Sequence, residues 1–238
     1  MFSNYLYLLH MALIRSAYQD ELDGVSQSLV DLTNMVTASV VKASKAVQSA
    51  DLALAEEVIA ADVKIDDFQH ELDARIIDII ARQQPVASDL RALVTAMRMS
   101  ADLERMGDLA HHIAKVARLR HPDRAIPEAL LLPFTEMGHV AEKLSIMVAG
   151  VITTRDTEMA IQVEKDDDEM DDLHKKVIST IIHEASGLSI ETAIDLTLLG
   201  RYYERYADHA VSVARRVYFL VTGTFAELFN PHISPHLG

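Results

Sequence analysis

The sequence repeats itself at a spacing of about 100 residues, and the repeat includes charged positions. At an offset of 100 residues, five identical residues recur within a stretch of twelve. They are Glu104, Arg105, Asp108, Ala110 and Ala114, which match Glu204, Arg205, Asp208, Ala210 and Ala214. Average composition predicts roughly one identity by chance in such a stretch. The chain is therefore expected to contain one supersecondary unit twice.

A second set of matches shows that the unit extends upstream. At an offset of 105 residues, Asp51, Ala55, Asp62, Asp66 and Asp67 match Asp156, Ala160, Asp167, Asp171 and Asp172. The two offsets differ by five residues. The connecting loops should therefore differ in length between the halves, while the helices keep the same register.

Apolar residues at helical spacing divide each half into three segments. The predicted helices cover about 15–49, 51–80, 85–119, 128–153, 157–186 and 189–222. Asp51 is expected to cap the second helix and Pro85 to lie in the first turn of the third. With 8 glycines and 6 prolines, the chain has few turn signals for a many-stranded protein. The predicted fold is all-α, with six long helices in two tandem, repeat-related three-helix bundles.

This pattern sets the expected domain boundaries. They are an amino-terminal extension at 1–14, a first bundle at 15–120, a linker at 121–127, a second bundle at 128–222 and a carboxy-terminal tail at 223–238. The apolar extension lacks a basic start and is shorter than the roughly 20 residues that cross a bilayer. No other apolar run reaches that length without a charge, so we expect a soluble, cytoplasmic protein.

Charge and cysteine content exclude several classes of function. The chain has 22 basic and 36 acidic side chains, a formal charge of −14. That balance argues against nucleic-acid binding, which requires clustered Lys and Arg. The absence of cysteine excludes thiolate nucleophiles, zinc fingers and iron-sulfur clusters. Any bound metal must therefore be held by oxygen or imidazole ligands.

Paired carboxylates are the strongest candidate for a site. Two acidic residues four apart on a helix share one face and lie close enough to hold one cation. Chance supplies about five such pairs in a chain of this composition, most of them on solvated faces. Four pairs are set apart because the repeat duplicates them, one on the second and one on the third helix of each half. They are Asp62 with Asp66, Glu104 with Asp108, Asp167 with Asp171, and Glu204 with Asp208.

Two interpretations of these eight carboxylates remain open from the residues. Apolar neighbours make unpaired charge costly, so the carboxylates need cations. Arg105 and Arg205 would supply them if the pairs only form salt bridges. A bound metal would supply them otherwise, with oxygen ligands suiting Mg, Mn, Ca or ferric iron and tolerating zinc. Gly107 slightly favours metal, because a glycine inside a helix usually permits close approach.

Other chemistry-bearing residues carry weaker signals. His112 lies one turn beyond Asp108 and could add an imidazole, but its repeat counterpart is Ser212. The group Tyr202, Tyr203 and Tyr206 has no aromatic counterpart in the first half, and packing is the favoured role. No glycine-rich phosphate loop, nucleophile elbow or two-histidine metal motif is present. The sequence therefore predicts no catalytic residue and no organic cofactor.

Two segments resemble a known family. DLERMGDLA at 102–110 and LLGRYYERYADHAVSVARRV at 198–217, together with the duplicated carboxylate pairs, are similar to the PhoU family of phosphate-transport regulators. The resemblance covers about 15–222. It implies a multinuclear iron or zinc cluster in each bundle, bound by the eight carboxylates. The expected partners are the ATPase subunit of the phosphate-specific ABC transporter, a phosphate-sensing histidine kinase and a second copy of the chain. Contact with the membrane would come only through them.

The sequence departs from the family pattern at four positions. Leu109 and His112 stand where the first copy of the motif often has histidine and asparagine, and Ala207 and Ser212 replace glycine and asparagine in the second. Two other functions stay open. A carboxylate di-metal oxidase normally needs Glu-x-x-His motifs, but residue 107 is Gly and residue 207 is Ala. A metal-free structural protein would use the carboxylates only in salt bridges.

Overall fold

The computed structural model describes residues 2–183 and 187–224, and side chains from residue 16 onward. Its six helices are α1 Phe2–Ser49, α2 Leu52–Gln83, α3 Ala87–Arg120, α4 Glu128–Thr154, α5 Thr157–His183 and α6 Ile190–Thr222. The described part of the chain contains no strand. The all-α prediction and the count of six long helices are confirmed.

Polar side chains cap the starts of helices, and the cap expected at Asp51 is present. The Asp51 carboxylate accepts a hydrogen bond from the Leu54 amide, 3.0 Å away, and begins α2. At α6, the Ser189 hydroxyl accepts from the Thr192 amide at 3.0 Å. A side-chain acceptor satisfies one of the backbone N–H groups that the first turn leaves without a helical partner. Caps of this kind can be predicted locally because they depend on residues a few positions apart.

Two predicted starts were wrong. The amino-terminal extension at 1–14 is not separate from the first helix, because α1 begins at Phe2 and continues unbroken to Ser49. Pro85 does not lie in the first turn of α3. Gln84 adopts a left-handed conformation that ends α2, and Val86 is extended, so Pro85 belongs to the connection and the helix starts at Ala87. The tail expected at 223–238 lies outside the described residues from 225 onward.

The halves are two three-helix bundles that pack against each other. Helices α1, α2 and α3 pack together, as do α4, α5 and α6. The bundles meet where α1 packs on α4 and α3 packs on α6. Each of these contacts joins a helix to its own repeat counterpart, as in a two-fold symmetric interface. The result is one continuous apolar core shared by both halves.

Hydrogen bonds and an ion pair between charged side chains connect the two bundles across this interface. Asp102 on α3 accepts hydrogen bonds from His209 at 3.1 Å and Arg216 at 2.7 Å, both on α6. Although burial opposes it, these two donors hold the pKa of Asp102 below its usual value. Arg120, at the end of α3, pairs with Asp195 near the start of α6, so the two helices run antiparallel.

Two neighbouring tyrosines of α6, Tyr203 and Tyr206, lie in the buried core. Tyr203 donates to the Ser44 hydroxyl of α1 at 2.8 Å, and the Tyr206 hydroxyl lies 2.8 Å from that of Ser145 on α4. Both tyrosines are fully buried. Tyr202 instead packs edge-on against His112, with ring centres 5.2 Å apart. All three tyrosines therefore contribute to packing. Tyr203 joins α6 to α1 in the opposite bundle, and Tyr206 joins α6 to α4 in its own bundle.

Candidate metal centre

The first carboxylate cluster lies where α2 and α3 approach each other closely. Gly107 is buried, and a Cβ placed on it would lie 3.0 Å from the Ile65 side chain of α2. Ile65 stands between Asp62 and Asp66 in the sequence. The missing side chain of Gly107 thus lets α3 pack tightly on α2 at the level of the acidic residues. The close approach that Gly107 permits is therefore between α3 and α2.

Asp62 is the most buried carboxylate of the first cluster, with 9% of its surface exposed. One of its oxygens, Oδ2, pairs with Nδ1 of His111 on α3. The other oxygen, Oδ1, and the far nitrogen of His111, Nε2, are buried and make no hydrogen bond to any described residue. Buried polar atoms without partners are uncommon because their desolvation is not repaid. This pair therefore has an unused acceptor and an unused imidazole nitrogen.

The remaining first-half carboxylates influence one another. Burial raises the pKa of Asp66, and the charges of Asp62 and Asp108 raise it further. Burial also raises the pKa of Glu104, with Asp108 adding to the shift and Arg105 opposing it. Mutual repulsion of this kind requires that the four charges face the same region. The structure thus brings the two predicted pairs, from α2 and α3, into one electrostatic cluster.

The second cluster, between α5 and α6, repeats this arrangement. Burial raises the pKa of Asp167 to about 7, and the charges of Asp171 and Asp208 add to the shift. The pKa values of Glu204 and Asp208 are also raised, chiefly by burial. Glu204 Oε2 is buried and makes no hydrogen bond to a described residue. All four second-half carboxylates again act on one another.

Arginines partly neutralise both clusters. Arg105 lies 2.9 Å from Asp108 and 3.6 Å from Glu104, and its side chain is 60% exposed. In the second cluster the cation paired with Glu204 is Arg201, one helical turn earlier, rather than the expected Arg205. These contacts satisfy only some of the carboxylate oxygens. Salt bridging alone leaves Asp62 Oδ1 and Glu204 Oε2 without a partner.

The donor set suits a hard cation, although the side chains are not gathered around one point. Among the residues that the structure describes, no three acidic or histidine side chains already enclose a position for a metal ion. Carboxylate oxygens and one imidazole nitrogen nevertheless match the preferences of iron, zinc, manganese and magnesium. Each cluster also has one buried carboxylate oxygen without a hydrogen-bond partner among the described residues, Asp62 Oδ1 or Glu204 Oε2, and a bound cation would give it one. The residues that would hold a cation are the four carboxylates of each cluster: Asp62, Asp66, Glu104 and Asp108 in the first, and Asp167, Asp171, Glu204 and Asp208 in the second.

A family model described as the PhoU domain matches residues 29–117 and 134–217. The chain belongs to the PhoU family. The two matched stretches include all eight carboxylates and correspond to the two bundles, so the PhoU domain is present twice. Both copies of the pattern noted in the sequence, around Glu104 and Glu204, lie inside them.

Relatives within the PhoU family match over most of their length. The chain is 42% identical over 212 residues to the phosphate-specific transport system accessory protein PhoU homolog 2 of Mycobacterium tuberculosis, covering 89% of this chain and 100% of that protein. It is also 42% identical to PhoU homolog 1 of Mycobacterium leprae, covering 90% and 96%. The similarity therefore extends over both bundles.

Solved PhoU structures share the fold. The phosphate transport system regulatory protein PhoU from Streptococcus pneumoniae aligns with a TM-score of 0.80 and 26% identity, over 88% of this chain and 99% of that one. PhoU from Pseudomonas aeruginosa aligns with a TM-score of 0.77 and 26% identity, over 87% and 100%. Within the described residues, no helix is long and apolar enough to span a membrane.

The two carboxylate clusters differ in one residue type. His111 belongs to the first cluster, and its counterpart in the second half is Val211. The sequence suggests His112 instead, but the His112 ring packs on Tyr202, and burial followed by the charge of Lys115 lowers its pKa. Only the rotation of α3 against α2 distinguishes the two histidines. His111 and Arg201 are thus the site residues that sequence reasoning missed.

Proposed function

We propose that this protein is a non-enzymatic negative regulator of phosphate uptake and of phosphate-starvation signalling. The observation that carries the proposal is 42% identity to a phosphate-specific transport system accessory protein over that protein's whole length. Both carboxylate clusters fall within the matched PhoU domains. The protein would act in the cytoplasm, by binding the ATPase subunit of the phosphate ABC transporter and a phosphate-sensing histidine kinase.

Each bundle is proposed to hold one multinuclear metal cluster, of iron or zinc, with magnesium or manganese as alternatives. The bound metal would supply positive charge that neutralises the four carboxylates of each cluster. Buried oxygens of Asp62 and Glu204 without hydrogen-bond partners support this assignment. Arg105 and Arg201 would turn away as the metal enters, since both side chains are more than half exposed and free to move.

Regulation by docking follows from the charge and the architecture. A protein of charge −14 attracts free phosphate poorly unless bound cations reverse the local potential. Helix α3 carries Glu104 and Asp108 and, through Asp102, also contacts α6 of the other bundle. A change at one cluster therefore acts on a helix that forms the interface between the bundles. The protein would control its partners by binding one of their conformations more tightly than the other.

The absence of enzymatic activity is part of the proposal. Within the described residues no serine or threonine hydroxyl forms a hydrogen bond with a histidine, the arrangement that activates such nucleophiles. Neither Gly107 nor Ala207 offers the histidine of a Glu-x-x-His motif. We expect a homodimer in solution, which would present two copies of the docking surface to a partner.

Gene deletion tests this function directly. In phosphate-rich medium, the deletion strain should express phosphate-starvation genes and take up phosphate without restraint. The wild-type gene should restore repression, and the variant Glu104→Ala with Asp108→Ala should fail to do so. A matched control is Asp67→Ala with Glu71→Ala, which removes two carboxylates of the same spacing from an exposed face of α2.

Purified protein separates the remaining alternatives. Metal-loaded wild type should bind the transporter's ATPase subunit or the kinase, and a chelator or the Glu104→Ala, Asp108→Ala variant should weaken binding. Normal repression after deletion, together with no binding to either partner, would refute the regulatory function. Oxygen consumption by the iron-loaded protein would instead favour the oxidase. A protein that binds no metal but keeps its stability would favour the structural alternative.

A further inference from the structure

His111 lies on the same face of α3 as the carboxylate pair of that helix. Glu104, Asp108 and His111 stand at positions i, i+4 and i+7, a spacing that places side chains one above another along a helix. The His111 side chain is only 15% exposed, whereas the adjacent His112 is exposed. The first cluster therefore has a largely buried imidazole beside its carboxylates.

Asp62 determines which nitrogen of His111 is available. The ionised carboxylate can only accept hydrogen bonds, so Nδ1 of His111 carries the hydrogen that it donates to Asp62 Oδ2. The other ring nitrogen, Nε2, is buried and has no hydrogen-bond partner in the described part of the chain. Histidines that bind metals are usually held in this way, with one nitrogen donating to a carboxylate and the other facing the metal. The ring of His111 is thus held as that of a metal ligand is.

The second cluster has no counterpart of this pair. At the position equivalent to His111 stands Val211, which is buried and offers no metal ligand. His209 follows Asp208 directly, but its Nδ1 lies 3.1 Å from Asp102 of α3, at the interface between the bundles. The repeat has therefore kept the carboxylates in both halves and the buried imidazole in one.

His174 is the other histidine near the second cluster, and its surroundings differ. It follows Asp171 by three residues, as His111 follows Asp108. Its ring packs against Gly200, where an added Cβ would lie 3.1 Å from His174 Cδ2, and it lines a pocket on the surface of α5. Among the described residues no carboxylate accepts a hydrogen bond from His174, so its ring is not oriented as that of His111 is.

We propose that His111 binds metal through Nε2, and that the two PhoU repeats therefore hold metal clusters with different ligands. This inference rests on the metal assignment made under the proposed function. The first cluster would combine one imidazole nitrogen with carboxylate oxygens, and the second would have oxygen ligands alone. Imidazole suits zinc, whereas oxygen-only sites suit harder ions such as manganese and magnesium. We expect zinc to bind the first bundle more tightly than the second.

Nuclear magnetic resonance of the imidazole nitrogens tests the ligand directly. Full-length metal-free protein with isotope-labelled histidine is titrated with zinc and followed by long-range proton–nitrogen correlation. The Nε2 resonance of one histidine should shift as zinc binds, and that resonance should be missing from His111→Gln. Zinc binding by wild type without a shift of any histidine resonance would overturn the proposal, and this outcome does not depend on how a variant folds.

Zinc affinity, measured in competition with a chromophoric chelator, is the second measurement. His111→Gln keeps an amide that can donate to Asp62, and it should weaken zinc binding at one site by at least about tenfold. Manganese binding should change little, because it depends on the carboxylates. Equal losses for zinc and manganese would indicate a structural role for His111 and would overturn the proposal.

Two matched controls are His112→Gln, at the adjacent residue, and His174→Gln, which has the same spacing from an aspartate in the second half. Both variants should keep the zinc affinity of wild type. No loss in His111→Gln, or an equal loss in His174→Gln, would overturn the difference between the repeats and leave the proposed regulatory function standing. If wild type bound no zinc, iron or manganese, the metal assignment itself would be wrong, and this inference with it.

Discussion

Replacing Arg105 by alanine separates metal binding from simple salt bridging. Arg105 contacts both Asp108, at 2.9 Å, and Glu104, at 3.6 Å, so it is the cation that a metal would have to displace from the first cluster. The metal interpretation predicts that Arg105→Ala strengthens metal binding. The salt-bridge interpretation predicts that Arg105→Ala only destabilises the fold. The two interpretations therefore differ in whether the substitution raises metal affinity.

The expected magnitude follows from exposure. The Arg105 side chain is 60% exposed, and ion pairs of that kind contribute about 0–1 kcal/mol. Metal-free protein should therefore lose no more than about 1 kcal/mol of stability on removal of the guanidinium. Metal binding no longer has to break these contacts, so it gains up to the same amount. A gain of that size corresponds to roughly fivefold tighter binding.

The assay is a zinc titration in competition with a chromophoric chelator, together with thermal unfolding at fixed free zinc. Arg118→Ala is the control, because Arg118 lies on the same helix and its partner, Glu56 at 3.7 Å, is outside the cluster. That variant should leave zinc affinity unchanged. Weaker zinc binding by Arg105→Ala, or no zinc binding by wild type, would refute the reasoning.

Two further predictions concern pH and packing. Because Asp167 keeps its proton up to about pH 7 in the folded chain, metal-free protein should lose stability as pH rises from 4 to 7, and Asp167→Asn should flatten this dependence in chelator-treated samples. Tyr206→Phe removes a buried hydroxyl that contacts Ser145 and should lower stability by about 1–2 kcal/mol, measured by urea unfolding. Tyr202→Phe, the half-buried neighbour, should cost less than about 0.5 kcal/mol, and equal losses would contradict the role given to Tyr206.

Much of the candidate site was predictable because helices impose short-range order. Residues four apart share a helix face whatever the tertiary structure is, so Glu104 with Asp108 could be paired before any fold was known. The internal repeat then selected four pairs from a background of ordinary acidic faces. The cap at Asp51 was predictable for the same local reason. The start of α1 was not, because apolar residues before Arg15 continue a helix as readily as they form a separate extension.

Contacts between helices could not be read from the sequence. His111 and Asp62 are 49 residues apart, and their pairing depends on how α3 is rotated against α2. Adjacent histidines point in directions about 100° apart on a helix, so a rotation of α3 by about that angle would have presented His112 instead. The pairing of Arg201 with Glu204 is different, because it is an i, i+3 contact within α6 that local spacing permits.

The sequence by itself determined that this chain is helical, that it contains one unit twice and that each unit carries two carboxylate pairs. These properties depend on composition, periodicity and spacing along a single helix. Only the tertiary structure decided that each bundle packs on the other through equivalent helices, and that one carboxylate oxygen in each cluster is buried without a partner among the described residues. The reason is physical: packing angles and burial come from contacts between residues far apart in the chain, which no local pattern specifies.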